Sequence, residues 1–125
     1  IMSNMFESAT NFNENIGDWD VSNVIIMRNM FSGRSILVTN SFNNGGSDSI
    51  NDWDTSSVTD MSFMFLNAID FNQPIGRWNV RQVTTTESMF ENADAFNQNL
   101  DEWELDSVET TENMFLNADS FNNGD

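Results

Sequence analysis

Apolar residues return in this chain at a fixed interval. Met5-Phe6, Met30-Phe31, Met64-Phe65, Met89-Phe90 and Met114-Phe115 are separated by 25, 34, 25 and 25 residues. Trp19, Trp53, Trp78 and Trp103 are separated by 34, 25 and 25. Two independent landmarks thus share one period of 25, with one 9-residue excess (34 − 25) in the same place. A fixed period of this size marks a repeat array, in which each unit buries its apolar face against its neighbours.

Within a repeat the apolar spacing changes twice. Met2, Met5, Phe6 and Ala9 lie at i, i+3, i+4 and i+7. The same face returns at Met61, Met64, Phe65 and Ala68, and, with Thr86 or Thr111 in the first place, before Met89 and Met114. This spacing predicts a short helix, too short to be stable without its neighbours. A Phe-Asn pair follows, then Ile16, Ile75 or Leu100, then Trp, then Val21, Thr55, Val80 or Leu105 two places on. These residue types at period two predict a short strand. One strand and one helix per 25 residues describe an α/β solenoid of five coils, with residues 1–125 as a single array.

Stacked coils place equivalent residues in files. Trp19, Trp53, Trp78 and Trp103 form one expected ladder. Asn13, Asn43, Asn72, Asn97 and Asn122 form another, whose amides would satisfy backbone groups at a bend; the alternative is a solvated turn asparagine. Arg77 falls in a column with Asp18, Asp52 and Glu102, and Arg81 in one with Asp106, so each expects an acid in the next coil.

The excess residues make an insertion at 32–52. Ser35-Ile36-Leu37-Val38-Thr39 reads as an extra strand or flap, and Asn43-Asn-Gly-Gly-Ser-Asp48 as a loop. Ile36, Leu37 and Val38 are contact candidates, because loops on repeat scaffolds carry function; a neutral surface insertion is the alternative. Neither end shows a polar cap. Met2, Met5 and Phe6 at one end, and Met114, Phe115 and Phe121 at the other, are candidates for end-to-end contact.

Charge narrows the function. The chain has 20 acidic residues against 4 basic ones, a formal charge of −16. Such a surface repels nucleic acid and anionic membranes. Without Cys or His there is no disulfide, thiolate-zinc or imidazole chemistry. No apolar run is long enough to span a membrane. Polar residues mostly obey the repeat, so their first explanation is structural, and no enzyme and no cofactor are expected. Asp18, Asp20, Asp52 and Asp54 flank two tryptophans and are weak calcium candidates beside the simpler reading of a solvated acidic face. No Asn-x-Ser/Thr acceptor site is present.

The run Trp53-Asp-Thr-Ser-Ser-Val-Thr-Asp-Met-Ser-Phe-Met-Phe-Leu-Asn-Ala68, with Phe71-Asn-Gln-Pro-Ile75, resembles the 25-residue repeat of mycoplasma surface lipoproteins of unknown function, related to BspA-like leucine-rich repeats. The resemblance covers nearly the whole chain. It implies a right-handed, leucine-rich-repeat-like solenoid on the cell surface or outside the cell, acting in adhesion or protein interaction, with no catalytic residues. Thr84-Thr-Thr86 and Thr110-Thr111 depart from the Val-Thr-Asp-Met pattern, and no lipid-anchor Cys is present. Three functions are expected: a surface module binding proteins or cell-surface ligands, a subunit stacking end to end into a filament or layer, and a calcium-stabilised binding module.

Overall fold

The computed structural model describes residues 1–125. Tight turns, not helices or strands, carry the repeat. The only regular elements are two 3-10 turns, Asn44–Gly46 and Asp48–Asp52, both in the insertion. This overturns the α/β solenoid of one strand and one helix per coil, and with it the right-handed leucine-rich-repeat-like form implied by the resemblance.

Residues 61–68 show why no helix forms. Phe63 and Asn67 hold φ of 58° and 56°. A left-handed residue cannot continue a right-handed helix. Asn4 and Ser8, Asn29, Ser88 and Asn92, and Asn113 and Asn117 take the same conformation at equivalent places. Backbone bonding then splits by parity. The N–H groups of Met64, Leu66 and Ala68 donate three residues back within the coil, at 3.2, 3.2 and 3.0 Å. Those of Met61, Phe63, Phe65 and Asn67 donate to the carbonyls of Thr85, Glu87, Met89 and Glu91 in the next coil, at 3.1, 2.8, 2.9 and 2.8 Å. The turn bonds account for the three- and four-residue apolar spacing that resembles a helix.

The expected strand fails for a related reason. Val24, Val58, Val83 and Val108 each donate to the carbonyl three residues earlier, at 2.8 to 3.0 Å, so the segment after Trp closes into a turn. One position per coil remains for parallel pairing: Ile26 with Asp60, Asp60 with Thr85, and Thr85 with Thr110.

The core is two files of phenylalanine. Phe6, Phe31, Phe65, Phe90 and Phe115 stack with centroids 5.4 to 5.6 Å apart. Phe12, Phe42, Phe71, Phe96 and Phe121 stack at 5.8 to 6.1 Å. Within each coil the two rings lie 3.8 to 4.1 Å apart and nearly parallel. An aromatic side chain buries about 150–250 Å², which at about 25 cal/mol per Å² makes these rings the main drive for stacking. Met27, Met30, Met61, Met64 and Met89 fill the space beside them and are fully buried.

The insertion has two parts: the first leaves the register at Gly33 and rejoins it at Asn40, and the second, which holds both 3-10 turns, lies between Phe42 and Trp53. Where Ala9, Ala68, Ala93 and Ala118 present a carbonyl to the N–H of the next Phe, the buried Asn40 uses its side-chain oxygen toward Phe42 N, at 2.9 Å. Its Nδ2 donates to Phe6 O in the coil before, at 2.9 Å.

One column departs from the core's chemistry. Thr86 replaces Met27 and Met61, is fully buried, and its hydroxyl has no partner. A buried hydroxyl without a hydrogen bond costs about 1–3 kcal/mol. Thr86→Val keeps the shape and removes that group, so urea unfolding is expected to show about 1–2 kcal/mol greater stability at unchanged denaturant slope.

Candidate functional site

The asparagine after each Phe links its coil to the next. Asn13 Oδ1 accepts from Asn43 N at 2.7 Å, Asn43 Oδ1 from Asn72 N at 2.9 Å, Asn72 Oδ1 from Asn97 N at 2.9 Å, and Asn97 Oδ1 from Asn122 N at 2.7 Å. Each oxygen takes a second donor: Gly45 N, Gln73 Nε2, Gln98 Nε2 and Gly124 N respectively. A chain without regular sheet must find acceptors for its bend N–H groups, and a repeated carboxamide supplies them.

The tryptophans link coils in the same direction. The indole N–H of Trp53 donates to Ile16 O at 3.2 Å, that of Trp78 to Ile50 O at 2.8 Å, and that of Trp103 to Ile75 O at 3.1 Å. Trp53 and Trp78 stack with centroids 6.0 Å apart. Trp19, in the first coil, is 39% exposed and packs on Phe6. A second asparagine file went unread in the sequence. Asn92 Nδ2 donates to Asn67 Oδ1 and Asn117 Nδ2 to Asn92 Oδ1, at 2.8 and 2.9 Å. Gly33 and Ser8 interrupt that column, which hides it; the signal was asparagine two places after Met-Phe, a residue suited to left-handed backbone.

The insertion projects an apolar turn. Ser35 and Val38 pair antiparallel, and Ile36 and Leu37 at the tip are 70% and 89% exposed. Val38 is also exposed. The base is tight: a Cβ on Gly33 would lie 2.6 Å from Val38 O and 2.8 Å from Thr39 Cα. The segment is a closed turn instead of an extra strand.

The family of "Mycoplasma protein of unknown function, DUF285" matches residues 1–124. The chain belongs to that family. No curated protein and no solved structure matches it.

The acidic edge of this DUF285 chain lies around the Trp turns. Asp20 Oδ1 accepts from Ser22 Oγ and N at 2.6 and 3.0 Å, and Asp54 Oδ1 from Ser56 Oγ and N at 2.6 and 3.1 Å. Asp52 pairs with Arg77 at 2.7 Å, and Asp18 is exposed. No three acidic side chains converge in a group able to hold a metal ion. Arg81 pairs with Glu104, a diagonal partner, in place of the Asp106 expected from its column. No helix is long and apolar enough to cross a membrane.

The serine hydroxyl, then the serine N–H, hold the Asp20 and Asp54 carboxyls below the usual carboxylate range; the neighbouring Asp20 charge opposes this weakly at Asp54. A carboxyl lowered on folding favours the folded state above its unfolded value, near ~3.9, and loses that effect as pH falls through the lowered value. Ser56→Ala is expected to move Asp54 up toward the ordinary range and leave Asp20 low, read by NMR titration of the two carboxyl carbons. An Asp54 titration unchanged by the substitution contradicts the assignment.

Proposed function

We propose that this DUF285 chain is a non-enzymatic interaction module of a cell-surface or extracellular protein, and that the Ile36–Leu37 turn makes its main contact with another protein or surface ligand. The exposure of two large aliphatic side chains at the tip of a turn with a closely packed base carries this reading. Exposed apolar groups of that size on a tight scaffold suit burial in a partner. The surface location rests on the resemblance to surface lipoproteins, and the absence of catalysis on polar side chains spent on coil-to-coil bonds. Burying one aliphatic side chain contributes about 1.5–3 kcal/mol. Ile36→Ser with Leu37→Ser is therefore expected to weaken binding of the fluorescently labelled chain to cultured animal cells by more than about tenfold, with unchanged melting temperature. Equal binding by the variant removes the turn from the reading.

A second reading has its own observation. The N–H groups of Thr111, Asn113, Phe115 and Asn117 have no acceptor, and the carbonyls of Ile1, Ser3, Met5 and Glu7 have no donor, though equivalent groups bond in all other coils. Around the first set lies an apolar hollow of about 490 Å³ lined by Leu105, Thr111, Asn113, Met114, Phe115 and Leu116. Met2, Phe6 and Phe12 line the opposite face. Each face fits one more coil of the same repeat, whichever chain supplies it. For residues 1–125 this predicts concentration-dependent end-to-end association by sedimentation, weakened by Phe115→Asp. A monomer at the highest soluble concentration sinks the stacking reading.

A further inference from the structure

The sequence holds two Asn–Gly pairs, Asn44–Gly45 and Asn123–Gly124. Both follow the Phe-Asn landmark, as Phe42-Asn-Asn-Gly45 and Phe121-Asn-Asn-Gly124. Asn–Gly bonds rearrange readily because glycine has no Cβ to block approach of its nitrogen to the asparagine side chain. The glycine nitrogen loses its proton and attacks asparagine Cγ. The adduct expels ammonia and leaves a cyclic succinimide. Water then opens the ring to aspartate or isoaspartate. The balance is one amide and one water giving one acid and one ammonia, with no oxidant or cofactor.

Both reacting groups are held at both sites. Gly45 N donates to Asn13 Oδ1 and Gly124 N to Asn97 Oδ1, each at 3.0 Å. The attacking nitrogen is thus bonded to a ladder asparagine of the preceding coil. The carboxamides under attack are tied as well. Asn44 Oδ1 accepts from Ile16 N at 2.8 Å, and its Nδ2 donates to Ser47 O at 2.8 Å. Asn123 Oδ1 accepts from Leu100 N at 2.9 Å, and its Nδ2 donates to Asp101 Oδ1 at 2.6 Å. In both cases the glycine N–H and the asparagine Oδ1 are satisfied by the coil before.

We propose that the asparagine ladder guards these two bonds against succinimide formation, so that Asn44 and Asn123 are latent deamidation sites that react when neighbouring coils part. Reaction at Asn44 does not reverse on reclosing. That side chain is fully buried, and an aspartate there faces Ser47 O with no hydrogen to donate. The carboxylate keeps the Ile16 N–H but sets a charged oxygen against the Ser47 carbonyl in a buried place, which opposes reclosing of the coils. Separation of coils is thereby recorded as a covalent change.

Peptide mapping by mass spectrometry of the full chain, after incubation in mildly alkaline buffer, tests this. Asn13→Ala is expected to deamidate about tenfold faster than wild type at Asn44 and at the wild-type rate at Asn123, equivalent to roughly 1.4 kcal/mol off the barrier. Asn97→Ala is expected to do the converse. Asn13→Asp keeps the accepting oxygen and is expected to hold the wild-type rate at Asn44, which separates loss of the guard from a general effect of substitution at Asn13. Equal rates at Asn44 in wild type, Asn13→Ala and Asn13→Asp overturn the proposal. So does a wild-type rate at both sites equal to that of the urea-unfolded chain.

Discussion

Everything in this fold depends on where alternate backbone N–H groups find their acceptors. In residues 61–68 one set closes turns inside the coil and the other crosses to the next coil. A chain that satisfied all its N–H groups locally would be a helix without need of neighbours, and one that satisfied all of them laterally would be a sheet. The alternating arrangement makes each coil incomplete alone. Cooperation between neighbours follows, as expected of arrays whose stability is a sum of units and interfaces.

That incompleteness explains the side-chain ladders. The Asn13-to-Asn122 file and the indole N–H groups of Trp53, Trp78 and Trp103 serve the bends where backbone pairing stops. The phenylalanine files supply attraction but little specificity of register, because one ring slides easily over another. Carboxamide and indole bonds are directional and fix the register. The insertion obeys the same rule: Asn40 takes over a carbonyl's task, and Phe42 returns to its file 6.1 Å from Phe71.

The period, the files of Phe and Asn and the stacking of Trp53 on Trp78 were legible in the sequence, because stacking repeats side chains at equal intervals; Trp19 packs on Phe6 instead. Local conformation was not. Met61, Met64, Phe65 and Ala68 satisfy a helical spacing whether the chain is a helix or a run of three-residue turns. Asn67, Asn92 and Asn117 favour left-handed backbone and pointed to turns, but Phe63 and Ser88 in the companion column masked the signal. The column rule found Arg77 with Asp52 and missed Arg81 with Glu104, since a long side chain reaches diagonally across coils. Exposure of Ile36 and Leu37 was unreadable, because an apolar run in an insertion looks the same whether it packs or projects.

The single-neighbour bonding of the turns has a mechanical meaning. No backbone bond of residues 61–68 skips a coil. Tension along the stack therefore loads one interface at a time, and a released coil of 25 residues pays out at most about 85 Å of chain. A stack of this kind, pulled from its ends, lengthens in steps, the longest from the coil that carries the insertion, and dissipates force where a rigid rod would snap.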